Sequence, residues 1–287
     1  MNRAGTRYAV IGDPIAHSLS PQMQNAALRT LKLDAEYIAV RVLPSEIESF
    51  VERARHELAG FNITVPHKAS IIPFLDEITP AAKLAGSVNT VTIREGRLWG
   101  DSTDGYGIEA AIREAFGLSL SGRNCAFLGC GGAVQAVACH FAAQGVAQMS
   151  FINRTVEKAE ELASRVSAAF SGMHPVCLSP NETHGVKKLL AEADIVIQGT
   201  SLGLKPDDPA PVPPEFLSGN ACFYETIYGE TPLLRAARQR GIRCADGRGM
   251  LLHQGARSLN IWTGLVPPVE VMRKALEEAL AARGVKQ

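Results

Sequence analysis

Two residues of opposite charge open a chemical reading of this chain. Lys68 closes the stretch GFNITVPHK, directly after an apolar run, and Asp104 stands in GDSTDGYGIEAAIREAFG, ahead of the helical pattern Ile108, Ala111, Ile112, Ala115. An ammonium held beside a carboxylate can give a proton to an oxygen on which charge develops, and take it back in the reverse direction. Pro66 suits the first position of a helix, so Lys68 is expected in a first helical turn, facing the positive end of the helix dipole. Burial and that dipole would disfavour the ammonium, whereas Asp104 would favour it. A solvated lysine and a helix-capping aspartate are the competing readings.

Other polar residues stand where a substrate could be gripped. In GDPIAHSLSPQMQNAALRTL, Pro21 suits the first helical position and Ser20 the N-cap, and Ser18 adds a second hydroxyl that capping does not explain. Two hydroxyls beside free helix amides suit a carboxylate. His17 either assists there or packs in the loop. Asn89 interrupts the apolar SVNTVTI, as a turn residue or as a polar contact. Near the C-terminus, Met250, Leu251, Gln254, Arg257 or Ser258, and Ile261 share a helix face, which leaves the Gln254 amide needing a partner.

A second group of residues suits a nucleotide. CAFLGCGGAVQAVACHFAAQG runs strand, glycine turn, helix, with Gly129, Gly131 and Gly132 in the turn and Val134 where a third glycine is usual. Backbone amides and a helix N-terminus in that order can hold a pyrophosphate. The next strand, MSFIN, ends in Asn153, Arg154 and Thr155 with no carboxylate. A carboxylate there would accept the ribose hydroxyls of NAD, whereas an arginine pairs with the 2′-phosphate of NADP. NADP (NADPH) is therefore the expected cofactor, a solvated arginine the alternative.

The elements that must position these groups alternate. Short apolar runs (YAVIG, AEYIAV, GFNITV, SVNTVTI) interleave with the helical patterns PQMQNAALRTL and PSEIESFVERARHEL, the order of a mostly parallel sheet. From Asn124 a second alternation follows, with CAFLG, MSFIN, DIVIQGT and ACFYETIY as strands and three helices between. GMLLHQGARSLNIWTG and PPVEVMRKALEEALAARG read as two terminal helices, and the proline-rich LKPDDPAPVPPEF as a surface loop. The fold class is α/β with two domains: a substrate-binding domain of residues 1–105 plus 246–287, and an NADP-binding Rossmann domain of residues 106–245.

With 287 residues, 46% hydrophobic and 29 basic against 29 acidic side chains, the chain has room for two cores and no charge bias toward nucleic acid or membrane. The N-terminal apolar run is too short for a signal peptide or a span, and a cytoplasmic location is expected. Cysteines at 125, 130, 139, 177, 222 and 244 form no CxxC pair, which argues against a zinc site and a disulfide framework. No metal is expected.

The phrases GDPIAHSLSP, NITVPHK, GSVNTV, STDGYG, GCGGA, NRT, TSLG and GMLLHQGA together resemble the shikimate dehydrogenase family over most of the chain. That resemblance implies NADP-dependent interconversion of 3-dehydroshikimate and shikimate, in aromatic amino acid biosynthesis, with Lys68 and Asp104 as the catalytic pair. It assigns Ser18 and Ser20 to the substrate carboxylate, and Thr64, Asn89, Asp104 and Gln254 to ring hydroxyls. Tyr228 looks like the family's cleft tyrosine. Ala133 of GCGGA, Thr200 and Gly203 of TSLG, and Gly247 to Met250 align with cofactor-binding segments. Ser102, Gln198, Gly199, Arg248 and the short loop after Tyr228 depart from the common pattern. Quinate or aminoshikimate dehydrogenation and a non-catalytic NADP-binding regulator are the alternatives; a monomer or homodimer is expected.

Overall fold

The structure is a computed structural model that describes residues 5–205 and 207–284. Met1–Ala4 of the N-terminal reading and Pro206 of the proline-rich stretch lie outside the described residues. In chain order the elements are β1 (Thr6–Gly12), α1 (Ser20–Thr30), β2 (Ala35–Arg41), α2 (Ile47–Glu57), β3 (Gly60–Ile63), β4 (Glu77–Ile78), α3 (Pro80–Ala85), β5 (Thr90–Arg94), β6 (Arg97–Asp101) and α4 (Asp104–Phe116). They continue as β7 (Asn124–Leu128), α5 (Gly132–Ala143), β8 (Gln148–Ile152), α6 (Val156–Ala169), β9 (Val176–Leu178), α7 (Thr183–Glu192), β10 (Ile195–Gln198), β11 (Cys222–Glu225), α8 (Pro232–Gln239), β12 (Arg243–Ala245), α9 (Arg248–Thr263) and α10 (Val269–Ala282). Two compact units result, one of Met1–Gly107 with Leu251–Gln287 and one of Ile108–Met250.

In the first unit the sheet order is β2-β1-β3-β5-β6-β4. β1 pairs in parallel with β2 and β3, while β5 runs antiparallel to both β3 and β6. The hairpin between β5 and β6 turns on Glu95 (φ 52) and Gly96 (φ 75), two left-handed residues whose turn matches the natural strand twist. It brings the end of β6 back beside the start of β5. Residues of β1 alternate between the two faces: Ala9 and Ile11 join Phe50, Phe61 and Val91 in one core, Tyr8 and Val10 join Met23, Leu28 and Leu252 in the other. α9 comes so close to α1 that a Cβ on Gly255 would lie 2.4 Å from Met23 Cε.

The second unit carries six parallel strands in the order β12-β11-β10-β7-β8-β9. This is the doubly wound arrangement of a dinucleotide-binding sheet. The proline-rich stretch is irregular, but it is not simply a surface loop. Val212, Phe216 and Leu217 are buried in the core of this unit with Leu190 and Phe223. Prolines deny the segment a backbone ladder, and its apolar side chains anchor it instead.

The expectation of a helix starting at Pro66 is not met. After a cis Val65–Pro66 bond the chain passes through successive turns to a single 3-10 turn at Ile72–Phe74. Pro73 lacks the N–H that a helix would donate to the carbonyl of Ala69, and its ring would collide with that carbonyl. Lys68 therefore sits in a turn, and no helix dipole acts on it. No helix among the described residues is long and apolar enough to cross a membrane.

Candidate functional site

In the first unit, the loops that follow β1 and β3 leave from the carboxyl ends of parallel strands. The hairpin returns the entry to β5 and the exit from β6 to the same edge, where Thr90 pairs with Asp101. Four segments thus meet there: the serine loop, the lysine turn, Asn89 and the start of α4. Gly12 makes the close approach possible, since a Cβ on it would lie 2.6 Å from Thr64 Cγ2.

Lys68 and Asp104 meet as the sequence led us to expect. Lys68 Nζ donates to Asp104 Oδ2 at 2.5 Å, with side chains 16% and 5% exposed. The lysine turn is held by the Val88 N–H, which donates to the Lys68 carbonyl at 2.8 Å. Asp104 Oδ1 accepts from Asn89 Nδ2 at 2.8 Å, so both carboxylate oxygens are engaged. Asn89 is buried, and its Oδ1 accepts from Thr103 N–H at 2.8 Å. Gln254 is half-buried on α9, its Oε1 at 3.5 Å from Asn89 Nδ2 and its Nε2 donating to the Leu251 carbonyl at 2.9 Å.

Ser20 does not cap α1. It is the first residue of that helix, Leu19 stands at the N-cap, and the Ser20 N–H donates to Ser18 Oγ at 3.3 Å. The neighbouring hydroxyl of Ser18 meets that amide, so the Ser20 hydroxyl is not committed to the helix end. His17 is exposed, and Arg283 donates to its carbonyl at 2.7 Å. Thr64 is half-buried and its N–H donates to the Ile11 carbonyl at 2.9 Å.

Five buried polar residues behind this edge went unread in the sequence: Tyr37, Asn62, Thr90, Thr103 and Ser258, the last left undecided against Arg257. Tyr37 Oη donates to Asn62 Oδ1 at 2.7 Å, and Asn62 Nδ2 donates to Ser258 Oγ at 2.9 Å and to Thr90 Oγ1 at 3.1 Å. Burial holds the Tyr37 phenol well above its usual pKa, opposed by the adjacent Ser20 hydroxyl. A polar side chain such as Asn62 inside a fully buried strand was the available signal.

In the second unit the predicted cofactor residues lie at the carboxyl edge of the parallel sheet. Gly129 has φ 95, and a Cβ there would lie 2.8 Å from Thr200 Cγ2. Gly131 is the N-cap of α5 and Gly132 its first residue, followed by Ala133. A Cβ on Gly132 would meet no protein atom within 4 Å, and one on Gly131 only the Gly199 carbonyl at 3.9 Å. Packing does not demand glycine at these two positions, whereas close approach of a phosphate to the backbone would, and the turn fits a dinucleotide in that respect. Val134 and Gly199, both departures, pack against each other: a Cβ on Gly199 would lie 2.2 Å from Val134 Cγ2.

Asn153 Oδ1 accepts from Cys130 N–H at 3.1 Å and its Nδ2 donates to the Thr155 carbonyl at 2.6 Å, tying the strand end to the glycine turn. Arg154 and Thr155 are exposed, and Thr155 heads α6 without a side-chain cap bond. Gln198, one of the departures, acts as a staple: its Oε1 accepts from Thr200 N–H at 2.8 Å and its Nε2 donates to the Leu202 carbonyl at 3.0 Å. Tyr228 is 36% exposed in the loop after β11, and Met250 N–H donates to Tyr224 Oη at 2.9 Å. A Cβ on Gly247 would lie 2.1 Å from the Thr226 carbonyl. Arg248 is paired with Asp246 at 2.8 Å. The fully buried Glu225 holds that loop through Ile227 N–H (3.1 Å) and Thr231 Oγ1 (2.8 Å), and burial pushes its carboxyl up to about 7.

The comparisons with known proteins agree along the chain. Profiles described as shikimate dehydrogenase substrate binding domain, shikimate / quinate 5-dehydrogenase and shikimate 5'-dehydrogenase C-terminal domain match residues 10–91, 110–203 and 247–277. The shikimate dehydrogenase (NADP(+)) of Symbiobacterium thermophilum is 40% identical over 96% of this chain and 95% of its own. That of Geobacter metallireducens is 39% identical over 94% and 96%. Among solved structures, shikimate 5-dehydrogenase of Thermus thermophilus in complex with NADP(H) and shikimate is 33% identical, with a TM-score of 0.85 over 96% of this chain and 100% of that one.

Proposed function

The chain belongs to the shikimate dehydrogenase family, and from that premise we propose that it interconverts 3-dehydroshikimate and shikimate with NADP as cofactor, a step of aromatic amino acid biosynthesis. The observation that carries the reading is the Lys68–Asp104 pair at 2.5 Å, backed by Asn89 on the far carboxylate oxygen. Lys68 is the proton donor to the ketone oxygen during reduction and the acceptor in reverse; Asp104 orients it. A donor at that oxygen counters the charge that builds there as the carbonyl is reduced. When bound, NADPH supplies the hydride.

Ser18 and Ser20 hold the substrate carboxylate, Thr64, Asn89, Asp104 and Gln254 contact its ring hydroxyls, and Tyr228 is a further substrate contact. The glycine turn of Gly129, Gly131, Gly132 and Ala133 holds the pyrophosphate. Asn153, Arg154 and Thr155 take the adenosine side, with Arg154 on the 2′-phosphate, while Thr200, Gly247 and Met250 line the nicotinamide half. The substrate-binding domain is residues 1–105 plus 246–287 and the NADP-binding domain residues 106–245, with Gly247 and Met250 contributed to the cofactor from just beyond the second range. None of the six cysteines is joined in a disulfide, and we read the chain as a cytoplasmic monomer or homodimer acting on small molecules.

Quinate is the second reading, because the profile matching residues 110–203 covers shikimate and quinate enzymes alike. A side-by-side assay that follows NADPH absorbance with shikimate, quinate, NADP+ and NAD+ decides between them. Shikimate with NADP+ is expected to give the highest kcat/KM; faster turnover of quinate would overturn the substrate assignment.

A further inference from the structure

The buried polar residues of the first unit form a directed chain. Asn62 Nδ2 lies 3.0 Å from the Asn89 carbonyl, an obligate acceptor, which fixes the amide so that Oδ1 faces Tyr37. The phenol proton of Tyr37 must therefore point at Asn62. Asn62 Nδ2 has two protons for three acceptors: one goes to the Asn89 carbonyl, and the other is shared between Ser258 Oγ at 2.9 Å and Thr90 Oγ1 at 3.1 Å, two hydroxyls that lie 2.9 Å apart; Thr90 Oγ1 in turn donates to Asn89 Oδ1 at 3.0 Å. Ser258 Oγ gives its proton to the Gln254 carbonyl at 3.0 Å, so it accepts from Asn62 Nδ2 and holds that amide in place. Asn89 Nδ2 donates in turn to Asp104 Oδ1. From Tyr37 to Asp104 every donor points the same way, and the chain ends on a carboxylate.

We propose that Tyr37, Asn62 and Thr90 are positioning residues for the acid–base pair, a buried relay of hydrogen bonds that starts beside the carboxylate-binding Ser20 and orients Asp104 toward Lys68. The members are nearly inaccessible to water, so no solvent molecule replaces a lost link. Aligned hydrogen bonds polarise one another, and the effect of each accumulates at the terminal acceptor. None of these residues touches the reacting oxygen; they act through Asp104. This inference rests on the reading of Lys68 and Asp104 as the reacting pair.

The test is steady-state shikimate oxidation by the full chain with NADP+, comparing wild type, Tyr37→Phe, Asp104→Asn and the double variant, with Ser258→Ala in parallel. Tyr37→Phe deletes one oxygen and should lower kcat about five- to thirtyfold while both KM values stay within about twofold. In the Asp104→Asn background the same change should have no further effect on kcat, since the relay has lost its target. A Tyr37→Phe protein with wild-type kcat, or one whose loss is undiminished beside Asp104→Asn, overturns the relay while leaving the assigned reaction intact. If Tyr37→Phe does not fold, Ser258→Ala is held to the same criteria. A folded wild-type protein that binds NADP+ but does not oxidise shikimate overturns the assigned reaction, and the relay with it.

Discussion

The side-chain amide of Asn89 faces Asp104 because its oxygen is already claimed by Thr103. The Thr103 N–H donates to Asn89 Oδ1 at 2.8 Å, which leaves Nδ2 to donate to Asp104 Oδ1, also at 2.8 Å. A residue expected to touch substrate thus has a prior engagement inside the protein. The carboxylate reaches Lys68 with one oxygen occupied, and only the other is free to hold the ammonium.

Lys68→Ala removes the proposed proton donor and should lower kcat by about two to four orders of magnitude with a modest change in KM for shikimate. Stopped-flow and steady-state assays across pH check this. Near-native turnover with an unchanged pH dependence would remove Lys68 from the mechanism.

Arg154→Ala should raise KM for NADP+ by about ten- to a hundredfold and leave KM for NAD+ nearly unchanged, because the planar guanidinium is suited to the 2′-phosphate alone. Parallel titrations with the two cofactors give the ratio. Equal losses for both would mean the arginine serves the turn and not the phosphate.

Glu225 ties stability to pH. Its carboxyl is raised from 4.5 to about 7, chiefly by burial, so the folded protein keeps a proton that the unfolded chain has released. The associated stability is complete below about 4.5 and is lost as pH rises through about 7, by on the order of 3 kcal/mol across the window. Glu225→Gln, which keeps the shape without the charge, should flatten this slope in urea melts between pH 5 and pH 8. An identical slope in both proteins would contradict the assignment.

Gly199→Ala should destabilise the second unit by about 1–3 kcal/mol, since its methyl would enter the space of Val134 Cγ2. Val134→Ala in the same chain should return most of the lost Tm. A single variant as stable as wild type would show that the two backbones part easily.

The groups proposed to do chemistry were legible by type. Lys68 after a buried run, Asp104 before an apolar helix, and the glycine turn ahead of Arg154 are unusual choices in their places, and the structure gives each a partner or an open setting. Their supports were harder to see. The helix expected at Pro66 failed because Pro73, seven residues on, removes the bond that would continue it. β4, α3, β6, β9, α7 and β12 went unread; three of these are strands of two or three residues with almost no alternation to detect. Tyr37 and Asn62 passed as ordinary strand residues, because a side chain's partners across a sheet depend on strand order, and strand order is not written locally.

The Glu95–Gly96 turn lies at the far end of β5 and β6 from Asn89 and Asp104, roughly 17 Å away along five-residue strands. Its two residues nonetheless set which rung of β5 stands opposite which rung of β6, and a slip of one rung would turn every side chain of one strand to the opposite face. The spacing between Val88, which holds the Lys68 carbonyl, and Asp104, which holds its ammonium, is therefore dialled from the opposite rim of the sheet. An insertion there would detune the chemistry without touching a single reacting atom.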